Sequence, residues 1–550
     1  MHRIEYEKWL NSFVVDEKTK LTLKTMTESD ILECFCRDLE FGTGGLRGKM
    51  NVGTNRMNIY TVRHATQGLA NEIISNGDTA VDMGVVIAYD SRNNSSRFAF
   101  ECVKVLCANG IKTYLFDSLR PTPMLSFAVR YLKCFRGIVI TASHNPKEYN
   151  GYKVYGEDGG QITPESASII ENNMKSTDIF DDVKITDTPD FISVGRQIDE
   201  AYISEVLNQR MGNSLDDLKV IYTPLHGSGN IPVRNVLQRA GLNNLFVVPE
   251  QEMPDGDFST VKSPNPENPE AFDLAIKYAE KIKPDLIIGT DPDSDRVGVA
   301  VPFENGYITL NGNQTGVLLC EFILRKLKET GSLNSNLTII KTIVTTEMIK
   351  AVTQDYGVGL TDVLTGFKYI GEKIKEYEDE NCSSEFLFGL EESYGYLKGT
   401  YTRDKDAVVA SLLICEMAAY YKEKEQTLYD GLCELYEKYG YYSEKLLNFT
   451  FDCADGIVKI NTIMDTLRNR EVNTIGGLKV ANVKDYLKGI DDLPKSDVLK
   501  YFFDCGWLAV RPSGTEPKIK FYICSSGENQ QEVNKNIDNI SEFINESVGI

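Results

Sequence analysis

Two clusters in this chain have the residue types and spacing for chemistry. One is Ser143 within Thr141-Ala142-Ser143-His144-Asn145-Pro146; the other is the run of alternating acids Asp291-Pro292-Asp293-Ser294-Asp295-Arg296. A serine at the end of a strand can act as a nucleophile or carry a phosphoryl group. A Ser–His pair for acyl transfer fits less well, because neighbours on a strand-like segment point apart and no Gly-x-Ser-x-Gly elbow is present. A capping serine in an ordinary turn would read the same way. Asp291, Asp293 and Asp295 can converge on one hard cation only if their loop curls, and without a cation they repel one another. Phosphoryl transfer needs the charge such an ion supplies. An EF-hand is excluded, because Arg296 and Pro302 stand where the motif needs Gly and an acid. The aspartate-phosphatase pattern wants Thr or Val where Asp295 stands.

Further segments carry groups suited to phosphates and sugars. Gly42-Thr43-Gly44-Gly45-Leu46-Arg47-Gly48 is neither a Walker loop nor a dinucleotide fingerprint, yet it offers backbone N–H groups and one fixed cation, Arg47. Gly366-Phe367-Lys368 puts Lys368 at an expected helix start. The loop from Gly389 to Gly395 carries Glu391 and Ser393, which suit sugar hydroxyls. Arg511-Pro512-Ser513-Gly514-Thr515-Glu516-Pro517 sets a guanidinium beside Ser513, Gly514 and Thr515, a cage for phosphate. Taken singly, each also reads as a plain turn, an acidic loop or a solvated cation. Asn150-Gly151 reads as a tight turn that delivers Lys153 on the next strand, and Arg403-Asp404-Lys405-Asp406 as a surface ion-pair cluster.

Strands must position these loops. Val85 to Ala88, Ile111 to Phe116 and Gly137 to Ile140 are short β-rich runs, and Ser95 to Asn109 between them has helical periodicity with Gly110 at its end. Strands alternating with helices imply α/β sandwiches. The rhythm restarts at Lys219 to Tyr222, which leads to Asp285 to Ile288 and Val297 to Val301, and again at Leu337 to Lys341. After about residue 425 it changes: Leu446 to Phe451, Gly477 to Val480 and Trp507 to Val510 predict an antiparallel sheet closed by a helix over Glu532 to Ile544. The expected fold is α/β, with three mixed α/β sandwich domains (1–205, 206–310 and 311–425) and a C-terminal α+β domain (426–550) around a central cleft. Tyr6, Trp9, Leu10 and Phe13 read as one face of an N-terminal amphipathic helix.

Composition narrows the partners. At 550 residues the chain exceeds the size at which single cores stop growing, about 250–300 residues. Lys and Arg number 59 against 80 Asp and Glu, a net charge of −21. That argues against nucleic acid and anionic membranes as partners, but permits an anionic small substrate held by a few focused cations. Twelve scattered cysteines without a Cys-x-x-Cys pair read as reduced thiols. With no apolar run near about 18 residues and no leader pattern, the expected address is cytoplasmic. Monomer and dimer are not distinguished.

Together these motifs, in this order from about residue 40 to 520, resemble the α-D-phosphohexomutase superfamily in its phosphoglucomutase/phosphomannomutase branch. The resemblance implies a mutase that interconverts a sugar 1-phosphate and 6-phosphate, glucose first among them, through a phosphoserine and a bisphosphorylated sugar. Mannose, pentose and aminosugar phosphates, or synthesis of the bisphosphate itself, use the same loops. A Mg²⁺-dependent phosphatase with Asp291 as nucleophile and a silent sugar-phosphate sensor are the rival readings. The resemblance implies Ser143 as the phosphoserine and, with Asp291, Asp293 and Asp295, as a ligand of Mg²⁺. It implies glucose 1,6-bisphosphate as the activating phosphoryl donor. Arg47, His144 and Lys153 fall in the catalytic set, Arg296, Lys368, Glu391, Ser393 and Lys405 in the substrate set, and Arg511, Ser513, Gly514 and Thr515 around the non-transferring phosphate. Several relatives carry a histidine shortly after the Glu-x-Ser loop. None stands between Tyr394 and Arg403 here, which leaves the acid/base pair open between Lys405 and Lys153.

Overall fold

The computed structural model describes residues 2–41, 45–378, 381–451, 456–469, 472–513 and 518–548. The fold is α/β, and among the described residues four larger sheets form. The first runs in the order Gly45–Lys49, Tyr149–Tyr155, Arg136–Ile140, Val85–Tyr89, Thr113–Phe116, Ile192–Val194. Its centre is parallel, and Tyr149–Tyr155 pairs antiparallel with both Arg136–Ile140 and the edge strand Gly45–Lys49. Val85 to Ala88 are fully buried, as a parallel strand covered by helices on both faces must be. The second sheet runs Gly306–Leu310, Val297–Phe303, Leu286–Thr290, Lys219–Thr223, Asn244–Val247, and the third Gly359–Val363, Leu337–Thr342, Glu385–Glu391, Gly395–Lys398. The fourth, Tyr441–Thr450, Lys518–Gly527, Gly506–Pro512, Leu499–Phe503, Asn482–Asp485, is antiparallel and packs the helix Gln530–Val548. No described helix is long and apolar enough to cross a membrane.

Local chemistry sets the helix starts. Asn58 caps the helix Ile59–Ser75 through its own side chain and Thr61, and Thr27 with Asp30 does the same for Glu28–Phe35. Trp9 of the helix His2–Asn11 is fully buried against Phe35, Tyr60 and Phe180. Phe13, expected on the same apolar face, lies beyond the helix end and is fully exposed. The run Gly477 to Val480 pairs only as a two-residue ladder with Thr474–Ile475, outside the main sheet.

The chain divides into two compact units, 1–309 with 397–419, and 310–396 with 420–550. The first unit holds the first two sheets and a segment borrowed from later in the chain. That segment contains Arg403, Asp404 and Asp406, which are 0–4% exposed. The surface cluster expected there is therefore a buried one. Tyr202 and Tyr401 donate to Asp406, and Tyr155 donates to Asp404 at 2.7 Å, so the acids have partners that sequence position alone does not reveal.

Candidate active site

In the first unit, two strand ends present the two clusters to each other. The strand Leu286–Thr290 ends at Asp291, and Ser294 takes a left-handed φ of 52° that curls the loop. One oxygen from each of Asp291, Asp293 and Asp295 then lies within 4.8 Å of the others. All three residues are at most 1% exposed. The strand Arg136–Ile140 leads to Ser143, which is also left-handed (φ 52°) and whose Oγ donates to Asp291 Oδ2 at 2.7 Å. That same φ overturns the expectation that Ser143 and His144 point apart, since His144 Nδ1 lies 3.2 Å from Ser143 Oγ.

Cations surround the acids. Lys153 Nζ is 3.0 Å from Asp293 Oδ2 and 3.6 Å from Asp295 Oδ2, and Lys405 Nζ is 3.0 Å from Asp295 Oδ2. Arg296 pairs with Glu267, and Arg47, on the edge strand Gly45–Lys49, donates to Asn145 Oδ1 at 3.4 Å. Asn150-Gly151 is not a turn. It lies inside the strand Tyr149–Tyr155, where a side chain on Gly151 would meet Thr141 O at 2.4 Å.

Burial, reinforced by Asp293 and Asp295, pushes the Asp291 carboxyl well above the ordinary range. Burial also pushes Asp293 up, but Lys153 overrides it and holds that carboxyl below the usual range. Burial together with Arg296, Arg47 and Arg92 pushes the His144 imidazole well down, so it is neutral at pH 7. Asp293 Oδ1 and Asp295 Oδ1 are buried without a hydrogen-bond partner among the described residues. Converging oxygens, mutual repulsion and orphaned lone pairs fit a hard divalent cation held by this triad.

Several residues that build this site carry no readable signal. Thr122, at the start of the helix Thr122–Leu132, donates to Asp293 Oδ2 from its hydroxyl and to Asp293 O from its backbone, both at 2.9 Å. The segment 224–229 lies under the acid loop: Ser228 N and Oγ each donate to Pro292 O at 2.8 Å, and Leu225 and His226 have positive φ. Arg92 and Asp90 support the serine loop from behind. The Pro-Thr-Pro at 121–123 was the one local cue, and it marks a helix start rather than a ligand partner.

The second unit holds the remaining residues. Glu391, 5% exposed, accepts from Gly366 N at 2.9 Å, and Ser393 is half-buried in the turn that follows. Lys368 is the second residue of the helix Phe367–Tyr377. Burial, with Arg511 adding to it against Glu372, pushes its ammonium down to about 8. Tyr522 hydrogen-bonds Arg511 and lies within electrostatic reach of Glu391 and Glu392. Ser513 N donates to Lys518 O at 2.7 Å. Gly514 and Thr515 lie outside the described residues, as do Gly42, Thr43 and Gly44.

Family models match in the same order as the sheets. Phosphoglucomutase/phosphomannomutase alpha/beta/alpha domains I, II and III match residues 38–179, 200–303 and 311–439, and the C-terminal domain of that family matches 467–540. The chain belongs to the phosphoglucomutase/phosphomannomutase family. A phosphoglucomutase of Staphylococcus haemolyticus (strain JCSC1435) is 39% identical over 523 residues, covering 92% of this chain and 93% of its own. One from Staphylococcus epidermidis (strain ATCC 35984) is 37% identical over 558 residues, covering 98% and 99%. Solved structures share the fold. A phosphoglucomutase/phosphomannomutase family protein from Burkholderia thailandensis superposes with a TM-score of 0.69 at 17% identity, covering 92% of this chain and 97% of its own. The Paramecium phosphoglucomutase parafusin does so with 0.68 at 17%, covering 93% and 96%. Family membership makes the buried serine–aspartate contact the natural place to look for chemistry.

Proposed function

We propose that this family member is a phosphosugar mutase that interconverts glucose 1-phosphate and glucose 6-phosphate through a phosphorylated Ser143. The observation that carries the reading is the buried Ser143 Oγ, 2.7 Å from Asp291 in a triad of converging carboxylates. The names of the curated relatives support glucose as the sugar. A Mg²⁺ ion held by Asp291, Asp293, Asp295 and the Ser143 oxygen would offset charge on the moving phosphoryl group.

The chain's own residues supply the rest. In the first half-reaction the phosphorus–Ser143 bond breaks and a bond to the sugar 6-oxygen forms; the proton leaving that hydroxyl passes to the Nζ of whichever of Lys153 and Lys405 is the neutral amine at that step, the other staying an ammonium. The bisphosphorylated sugar turns end for end. Its 1-phosphate then returns to Ser143, and the proton goes back to the freed sugar oxygen. Arg47 and Arg296 flank the reacting phosphoryl group, and neutral His144 can accept a hydrogen bond without adding charge. Arg511, Ser513, Gly514 and Thr515 bind the phosphate that is not moving, while Lys368, Glu391 and Ser393 bind the substrate, the last two through sugar hydroxyls. Glucose 1,6-bisphosphate would prime an unphosphorylated serine. The four domains with boundaries near 205, 310 and 425 go with this reading, one loop from each. Eleven described cysteines are all free, which supports a cytoplasmic address.

The test is peptide mapping for phosphate on Ser143, combined with turnover on a panel of sugar 1-phosphates. Phosphate on Ser143, fastest turnover of glucose 1-phosphate, and loss of activity in Ser143→Ala are expected. Release of free phosphate with activity surviving in Ser143→Ala would instead support a phosphatase with Asp291 as its nucleophile.

A further inference from the structure

The loop that presents Ser143 is gripped from behind by an arginine. The Arg92 side chain is fully buried, just after the strand Val85–Tyr89. Its Nη1 donates to Pro146 O at 2.9 Å and Tyr149 O at 3.2 Å, and its Nη2 to Ser143 O and Asn145 O. The two Nη atoms carry four N–H groups between them, so these carbonyls use them all and leave none for a substrate. Nε lies 3.3 Å from Asp90 Oδ2. Asp90 accepts from Thr141 Oγ1 and Ser95 Oγ, each at 2.6 Å, and Thr141 Oγ1 accepts from Ser143 N at 2.8 Å.

A second element closes the grip. Phe258 stacks its ring 4.9 Å from the Arg92 guanidinium, and Ser263 Oγ donates to His144 O at 3.0 Å. Ser143 sits inside these contacts in a left-handed backbone conformation that is disfavoured for a residue with a Cβ.

We propose that Arg92 is a positioning residue for phosphoryl transfer. By fixing four carbonyls of the serine loop it holds Ser143 left-handed, which aims Oγ at Asp291 instead of solvent. The proposal rests on the phosphoserine reading above. Lysine cannot replace Arg92, because a point ammonium has three donors and no planar fork.

The experiment compares wild type with Arg92→Lys, Thr141→Val, Thr141→Ser and the Arg92→Lys/Thr141→Val double variant. It measures kcat and KM on glucose 1-phosphate together with amide hydrogen exchange. Arg92→Lys is expected to lower kcat by about 10–100-fold while KM stays within about twofold, the signature of misplacement rather than lost binding. Exchange should accelerate at the amides of 142–145 and nowhere else in the unit. Thr141→Val should lose kcat in the same way, and Thr141→Ser, which keeps the hydroxyl, should restore it. The double variant should fall little below the worse single, because both act on one loop conformer. Wild-type kcat in Arg92→Lys overturns the proposal, and so does a loss that tracks a general fall in protection. If Arg92→Lys does not fold, equal activity of Thr141→Val and Thr141→Ser overturns it. An inactive wild type without phosphoserine sinks the phosphoserine reading instead. Unchanged loop exchange in Arg92→Lys would still sink this proposal alone.

Discussion

Thr122 bears on the acid loop more than its place at a helix start would indicate. Its hydroxyl and its backbone N–H both grip Asp293, which fixes where that carboxylate points. Partners of this kind typically account for about 10–100-fold in metal affinity, so Thr122→Val should weaken Mg²⁺ binding by that factor in calorimetric titration while Thr122→Ser retains it. Lys368 gives a pH prediction. Its folded-state ammonium is pushed down to about 8 by burial and Arg511, so its charge is present below pH 8 and lost above it. Because kcat/KM reports the free enzyme, kcat/KM for the sugar phosphate should fall as pH rises through about 8. Lys368→Arg, which cannot deprotonate in that range, should remove this inflection. A pH profile of Lys368→Arg that matches wild type would show that another group titrates there.

At the scale of elements, the strands were legible and their surroundings were not. Val85 to Ala88, Gly137 to Ile140 and Lys219 to Tyr222 read as strands because a strand covered on both faces must be continuously apolar, and they fold so. Curling of the Asp291–Asp295 loop was legible as a condition, since repelling carboxylates need a shared ion. The pointing of His144 was not, because it follows from the φ of Ser143, which nothing in the residue order announces. Asn150-Gly151 misled through its turn propensity. Gly151 is there for a close approach of strands rather than a reversal of the chain. The Arg403 to Asp406 cluster misled because its partners Tyr155 and Tyr202 lie about 200 or more residues away. Segment 224–229 carried no recognised motif, yet it forms the floor of the acid loop. A Cβ on Gly227 would meet Pro292 Cα at 2.6 Å and Asp291 O at 2.9 Å, both backbone atoms that cannot swing aside. Gly227→Ala should therefore displace the loop and reduce Mg²⁺-dependent turnover by about 10–100-fold with circular dichroism unchanged. Wild-type turnover in that variant would show that the floor does not set the loop.

For the molecule as a whole, a net charge of −21 coexists with an anionic substrate because Lys153, Arg296 and Lys405 are focused on one buried site, with the exposed Arg47 hydrogen-bonded to the serine loop beside it. All three acids of that site belong to the unit 1–309 with 397–419. An ion bound at 100 times its Kd stabilises what it binds by about 2.7 kcal/mol, so Mg²⁺ should slow hydrogen exchange in that unit and not in the unit formed by 310–396 with 420–550. Protection confined to the latter would place the ion elsewhere. The central claim is that Ser143 hands a phosphoryl group to the sugar and takes one back, and the fate of labelled phosphoryl on Ser143 tests it most directly. Radiolabelled phosphoenzyme would be mixed with unlabelled glucose 1-phosphate and quenched within a single turnover. The account predicts that the label leaves Ser143 for the sugar, appearing as glucose bisphosphate and glucose 6-phosphate with almost no inorganic phosphate. Label released as inorganic phosphate, or retained on the chain while glucose 6-phosphate accumulates, would contradict it.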